Sequence, residues 1–362
     1  MQNEQSILEI IEKTTARRDA RRAFMRTAVL GAATVGSLSA LAACGSNNNS
    51  GTPTSTPSPT PTTAAIPVDV QVLNFALQLE YLEAQFYSYA AFGVGLPASS
   101  LGGIGTAGNV QTGSGAGFPR AVDFSGEPVI GQYAREIALD EITHVNFLRT
   151  ALGSAAVAQP AINISGDSAG AFTAAARAAG VVSSTGTFDP YASPLNFLVG
   201  AYIFEDVGVT AYKGASPLLS ATYLEAAAGI LATEAYHAGL VRTILYGRGV
   251  TNAALITQAQ QISNLRDTAD GRTLGTNYAG VMSPDGTTGT AGDRDQGVGG
   301  TNIGDLATSV SNIVPTDANS IVYSRSPADV LNIVFLTPSA TTSGGFFPAG
   351  VNGSFTMSGA NA

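Results

Sequence analysis

The chain carries only two histidines in 362 residues, and each stands three residues after a glutamate: Glu141-Ile142-Thr143-His144 and Glu234-Ala235-Tyr236-His237. Upstream of each lies a second matched feature, a glutamate followed seven residues later by tyrosine: Glu80…Tyr87 and Glu205…Tyr212. The order along the chain is therefore Glu, Glu-x-x-His, Glu, Glu-x-x-His. That is the ligand set of a two-metal site inside a four-helix bundle, with a lone glutamate from two helices and a Glu-x-x-His pair from the other two. Glutamate fills only 8 of the 319 positions after residue 43. Its presence three residues before both histidines is thus not a product of composition.

The residue types suit the chemistry. Residues three apart on a helix lie about 60° apart around it and about 4.5 Å along it. One helix can therefore offer a carboxylate and an imidazole to the same metal pair. Such a carboxylate can span two ions about 3.5–4 Å apart while the imidazole caps one of them. Four carboxylates in an apolar bundle repel one another, and two divalent ions neutralise them, so the site should hold metal tightly. Oxygen and imidazole ligation suits iron or manganese, whereas soft-metal sites want sulfur. Tyr87 and Tyr212 sit two turns beyond Glu80 and Glu205. A phenol there can bond a carboxylate from another helix and fix its orientation, or can be a plain core aromatic.

Four helices must position these groups. The first runs roughly 70–91, with Leu73, Ala76, Leu77, Glu80, Ala84 and Tyr87 on one face. The second runs roughly 130–152, with Ile137, Glu141, His144 and Leu148 inward and Arg135, Glu136, Asp140 and Arg149 available for the wet side. The third opens at Ser193-Pro194 and continues to about Tyr212, carrying Leu198, Ala201, Tyr202, Glu205 and Val209. The fourth runs roughly 217–246, with Leu224, Ala227, Ile230, Leu231, Glu234, His237, Ala238 and Val241 as its buried line. Glu83, Glu136 and Asp206 read as solvated helix face. The long gaps at about 92–129 and 153–193 are an elaboration over the bundle and a crossover, the latter with a short helix near 168–179.

Charge divides the chain. Residues 1–43 carry +2 and the remainder −11, an acidic body that disfavours nucleic acid, whose phosphates need clustered basic groups. Cys44 is the only cysteine, so an internal disulfide and a thiolate cluster are both excluded. Arg21-Arg22-Ala23-Phe24-Met25-Arg26 resembles a twin-arginine export motif, with Ala20 where serine or threonine is usual. The apolar run 27–43 ends in Leu41-Ala42-Ala43-Cys44, which resembles a bacterial lipoprotein cleavage box. Residues 1–43 are thus expected to be a signal peptide. Residues 44–65 would then be a lipidated Cys44 with a Ser/Thr/Pro tether that cannot bury a core. The resemblance implies export to the cell envelope and a membrane anchor through lipid. An uncleaved anchor or a plain signal peptide is the alternative reading.

With Leu73-Asn74…Glu80…Tyr87, Glu141-x-x-His144 and Glu234-x-x-His237 in view, residues 66–250 resemble the ferritin-like superfamily, which includes bacterioferritins and rubrerythrins. The resemblance implies an all-α fold: a ferritin-like four-helix bundle with long inter-helix loops. It also implies terminal ligands at Glu80 and Glu205, bridging ligands at Glu141 and Glu234, and histidines paired as His144 with Glu80 and His237 with Glu205. Two iron or two manganese ions and an oxidant, dioxygen or peroxide, come with it. Residues 262–267, 312–317 and 326–334 resemble exported ferritin-like domain proteins related to plant desiccation-related proteins, a branch that implies no settled reaction.

Residues 251–362 are expected to form a loop-rich C-terminal extension packed on the bundle, with helices near 252–267 and 326–335. The second of these shows a capping-box pattern at Ser326 and Asp329. Ile313-Val314 and Phe346-Phe347 are its expected anchoring clusters. Asp293-Arg294-Asp295-Gln296-Gly297 resembles part of a calcium loop but lacks the closing glutamate, so an ordinary acidic turn is the alternative. The sequence favours metal-dependent redox chemistry in envelope stress protection. A structural or desiccation-related metal protein and iron storage are the rivals, and a homo-oligomer is compatible with any of them. The lipid anchor and the bulky extension argue against a closed storage shell.

Overall fold

A computed structural model describes residues 65–114, 120–271, 295–299, 301–302, 309–317 and 319–361. The expected signal segment, Cys44 and the tether as far as residue 64 lie outside the described residues, as do Asp293 and Arg294 of the acidic turn.

The described chain is mainly helical, as a ferritin-like bundle with added C-terminal helices should be. Helix α1 spans Val68–Phe92 and α2 spans Pro128–Leu152, with proline at its first turn and Gly153 (φ 55°) at its end. The two pack along each other. The short α3 (Ala171–Ala179) stops at the left-handed Gly180. The third bundle helix is broken. Helix α4 (Pro194–Ala201) begins where Ser193 accepts a hydrogen bond from the Asn196 N–H. It yields at Tyr202–Phe204 to a tighter turn, in which Ile203 N bonds Gly200 O and Phe204 N bonds Ala201 O. Helix α5 (Glu205–Ala215) then restarts with Glu205 in its first turn. Helix α6 (Ala221–Gly249) completes the bundle against α5. Two C-terminal helices follow, α7 (Ala253–Ala269) and α8 (Pro327–Phe335), and the Ser326/Asp329 capping box of α8 is formed in both directions.

Two long loops meet along the outer side of α1. Strand β1 (Val110–Gln111) pairs in parallel with β2 (Ile162–Asn163), so the α1–α2 and α2–α3 connections clip to each other. They wrap α1, which is buried on every side from Val72 to Ser88. Asn74 Oδ1 accepts from Val157 N, and Gln85 bonds Gln159. An aromatic cluster of Phe86, Phe172, Phe197 and Phe204 is closed by Phe346 from the C-terminal segment. Among the described residues no helix is long and apolar enough to cross a membrane.

Several expected surfaces are different. Glu83 and Asp206, expected on wet faces, are buried (7% and 3% exposed). The loops and C-terminal segments cover the outer sides of α1 and α5, which a bundle of four helices alone would leave open. Leu224, expected inside, is exposed because the first turns of α6 present Tyr223, Ala227 and Ile230 to the core instead, and Val314 is exposed rather than anchoring. Asp295 is neither a calcium ligand nor an ordinary turn residue. It is fully buried, with Arg325 Nη1 at 2.6 Å and Arg266 Nε at 3.3 Å from its Oδ2. Arg242 and Arg266 hold Asp206 Oδ2 at 2.6 and 3.0 Å, and Arg325 Nε lies 2.9 Å from Asp270. Three guanidinium groups thus join α5, α6 and α7 to the residues preceding α8.

Candidate metal centre

Each Glu-x-x-His pair lies on the inner face of a long helix, and the six side chains named from spacing converge. Glu80 comes from α1, Glu141 and His144 from α2, Glu205 from α5, and Glu234 and His237 from α6. All four carboxylates are essentially buried. His144 Nδ1 lies 3.2 Å from Glu80 Oε2, 3.4 Å from Glu141 Oε2 and 3.5 Å from Glu234 Oε1. His237 Nδ1 lies 3.0 Å from Glu141 Oε1 and 3.8 Å from Glu205 Oε2. Donor atoms of Glu80, Glu141, His144 and Glu234 fall within 4.8 Å of one another, as do those of Glu205, Glu234 and His237. Glu234 belongs to both groups. Glu141 turns one oxygen toward each histidine, so both central carboxylates face both halves of the cluster.

The tyrosines cross between halves. Tyr87 of α1 donates its hydroxyl to Glu205 Oε1 of α5, and Tyr212 of α5 donates to Glu80 Oε1 of α1. Each terminal carboxylate is thereby held on one oxygen and left with the other facing the centre. The far nitrogen of His237, Nε2, lies 3.4 Å from Asp140 Oδ2, which fixes the ring so that Nδ1 points inward. Asp140 was expected on the wet side. It is partly exposed and serves both surfaces.

The electrostatics are those of a cluster with too much negative charge. Burial raises Glu80 from 4.5 to about 7, against the opposing pull of His144. Burial also raises Glu205 well above the usual carboxylate range, and raises Glu234. Glu141 is the exception: burial and Glu234 push it up, but the two imidazoles outweigh them and hold it low. Burial works against charging His144 and His237, yet the surrounding carboxylates raise both well above the ordinary imidazole value. Both oxygens of Glu141 and Glu234, Glu205 Oε2 and His237 Nδ1 are buried and form no directed hydrogen bond, even where an imidazole and a carboxylate lie at ion-pair distance. Buried donors and acceptors left open in this way are costly, and shared cations satisfy them. The donor set therefore fits a two-metal site, and the cluster suggests metal binding.

Two further residues contribute without having been singled out by spacing. Glu83, one turn beyond Glu80, is raised well above the carboxylate range by burial and then by Glu234, Glu141, Glu205 and Glu80. Gly208, one turn beyond Glu205, has no room for a side chain. A Cβ there would lie 2.4 Å from Glu234 Oε2 and 3.6 Å from Glu83 Oε1. The signal for both was present in the sequence. Glu80, Glu83 and Tyr87 share their steps with Glu205, Gly208 and Tyr212, and the middle pair breaks the match.

Comparison with known proteins agrees with this geometry. The model of the ferritin-like domain matches residues 68–247. The chain is 26% identical over 291 residues to a ferritin-like catalase, Nec2, of Nesocodon mauritianus; the match covers 79% of this chain and 84% of that protein. It is 32% identical over 209 residues to the desiccation-related protein PCC13-62 of Craterostigma plantagineum, covering 54% of this chain and 61% of that protein. No solved structure matches the chain. A helical bundle with this cluster at its centre, matched by these relatives, makes the chain a member of the ferritin-like superfamily, related to the desiccation-related proteins.

Proposed function

We propose that the cluster holds two iron or two manganese ions and that the protein consumes peroxide at them, with Glu80 and His144 closing one end, Glu205 and His237 the other, and Glu141 and Glu234 joining the two. When bound, such ions supply a pair of Lewis-acidic, redox-active centres that exchange electrons with peroxide or dioxygen. The chain does the rest. Tyr87 and Tyr212 keep one oxygen of Glu205 and Glu80 occupied, so that the other points inward. Asp140 orients the His237 ring. The burial of all four glutamates excludes bulk water and strengthens every charge interaction inside. In the peroxide reaction one molecule loses two electrons and two protons and leaves as dioxygen. A second gains them and leaves as two waters.

The observation that carries this reading is the set of buried oxygens on Glu141, Glu205 and Glu234 that make no directed hydrogen bond, gathered around two inward-facing Nδ1 atoms. The relative named as a catalase favours peroxide over other oxidants. The twin-arginine-like run and the Cys44 box support an exported, lipid-anchored protein. The test is elemental analysis with a peroxide-consumption assay on the wild type and on Glu141→Ala and Glu234→Ala. Both variants should lose most of the metal and the turnover. Unchanged stoichiometry would reject the assignment. A second reading is favoured by the similarity to a desiccation-related protein: the metals only brace the bundle. It expects tight metal binding in the wild type without peroxide or ferrous-iron turnover.

A further inference from the structure

The two tyrosines that hold the terminal carboxylates are packed differently. The Tyr87 ring is shut in by aromatic neighbours, with Phe86 and Phe197 at 5.0 and 5.7 Å between ring centres. The Tyr212 ring instead forms one wall of a cavity among α1, α2, α5 and α6. Ala76, Leu148 and Ile230 form other walls, and each stands one helical turn from a residue of the centre: Glu80, His144 and Glu234 respectively. Half-buried Phe147, Tyr223 and Ala226 border the same cavity. It therefore begins just beneath the surface and ends against the Glu80–His144 half of the centre.

Every side chain that lines this cavity is aliphatic or aromatic. The hydroxyl at its buried end, that of Tyr212, is engaged by Glu80. About 20 Å³ is open to the centre of a water-sized molecule, about room for one small guest. Water and peroxide both give up hydrogen bonds on entering such a space and find no partners in it. Dioxygen has none to give up. We propose that the cavity is the passage for dioxygen between the surface and the metal pair, and that peroxide takes another way in. The inference rests on the peroxide reading above, in which a peroxide molecule that gives up two electrons and two protons leaves a water-excluded centre as dioxygen.

The test reads the cavity and the chemistry separately, on the full chain and its Ala227→Val, Ala226→Leu and Ala232→Leu variants. The metal-free proteins in solution are pressurised with xenon, which enters dry apolar cavities, and the methyl resonances of Leu148 and Ile230 are followed. Wild type and Ala232→Leu, altered only on the exposed side of α6, are expected to show a saturable shift. Ala227→Val narrows the buried part of the cavity and is expected to show none. Each protein is then loaded with ferrous ion without oxygen and mixed with dioxygen or with peroxide. The loaded pair loses two electrons in either case; with two protons, dioxygen leaves as peroxide and peroxide as two waters. The dioxygen rate of Ala227→Val, relative to its peroxide rate, is expected to fall about tenfold or more below wild type. A wild-type ratio in a variant that no longer takes xenon overturns the proposal, as does a ferrous wild type indifferent to dioxygen. Should Ala227→Val fail to fold or to load metal, Ala226→Leu at the half-buried mouth replaces it with the same outcomes. A wild type that takes no xenon sinks this inference alone. One that takes up no metal sinks the two-metal reading and this inference with it.

Discussion

Glu205 and Asp206 are neighbours in sequence, both buried, and belong to opposite kinds of charge cluster. Glu205 faces Glu234, Glu141 and His237, and its Oε2 makes no hydrogen bond. Asp206 points away, where Arg242 and Arg266 close on it and a third guanidinium, Arg325, is met by Asp270 and Asp295. The second cluster is balanced, three arginines against three aspartates, with the Arg266 guanidinium also 4.7 Å from the centre of the Tyr202 ring. The first is unbalanced and left with open oxygens. The contrast separates buried charge that holds a fold from buried charge that awaits a ligand. Burial alone does not distinguish them; the state of the partners does.

The largest expected effect breaks the balanced side. Arg266→Ala leaves Asp206 and Asp295 each short of a buried partner. It should cost about 3–5 kcal/mol of stability by urea unfolding, with or without metal. On the other side, Gly208→Ala forces a methyl group onto Glu234 Oε2. It should cost about 1–3 kcal/mol and lower metal occupancy by elemental analysis. The two variants together test whether the clusters are separable, since only the second acts on metal content before the fold fails.

Acid should sharpen the comparison. Glu80 has its folded value raised above its unfolded one. Its contribution to the metal-free protein is therefore fully present below pH 4.5 and lost as pH rises through about 7. Glu205, Glu234 and both histidines are shifted upward with the same sign. Only Glu141 is lowered, so its contribution is present above 4.5 and lost as pH falls below. The midpoint of thermal unfolding of the stripped protein should fall between about pH 4.5 and 7 and recover on addition of metal. A metal-free protein that gains stability over that range would contradict the charge state described for the centre. The smallest effect concerns the stripped protein alone. Glu234→Gln removes one repelling carboxylate and should leave stability unchanged or raise it by about 1 kcal/mol, read by the same unfolding curve.

The bundle and the six converging side chains were legible because helical spacing is local. Three- and four-residue steps are written in the sequence wherever a helix buries one face. Ser193-Pro194 and the Ser326/Asp329 box were readable for the same reason, since a cap is set by neighbours in the chain. What was misread depended on partners far away. Glu83 and Asp206 occupied positions that a bare bundle would leave wet, and nothing near them in sequence announces the loops and arginines that enclose them. Arg242, Arg266 and Arg325 are 24 and 59 residues apart along the chain, so their common cluster exists only in three dimensions. The break at Tyr202–Phe204 was hidden because the apolar spacing continues across it.

Gly214 extends the reach of the balanced cluster. A Cβ there would lie 2.1 Å from the Arg325 carbonyl, so the segment before α8 runs directly against α5. Arg325 N bonds Thr210 O, and its Nη1 bonds the Thr210 hydroxyl. A polypeptide emerging from the ribosome can therefore make all four bundle helices and still lack the clasp that seats the helix bearing Glu205. Cutting the gene after residue 250 should yield not an autonomous module but one whose Asp206 keeps Arg242 and loses Arg266.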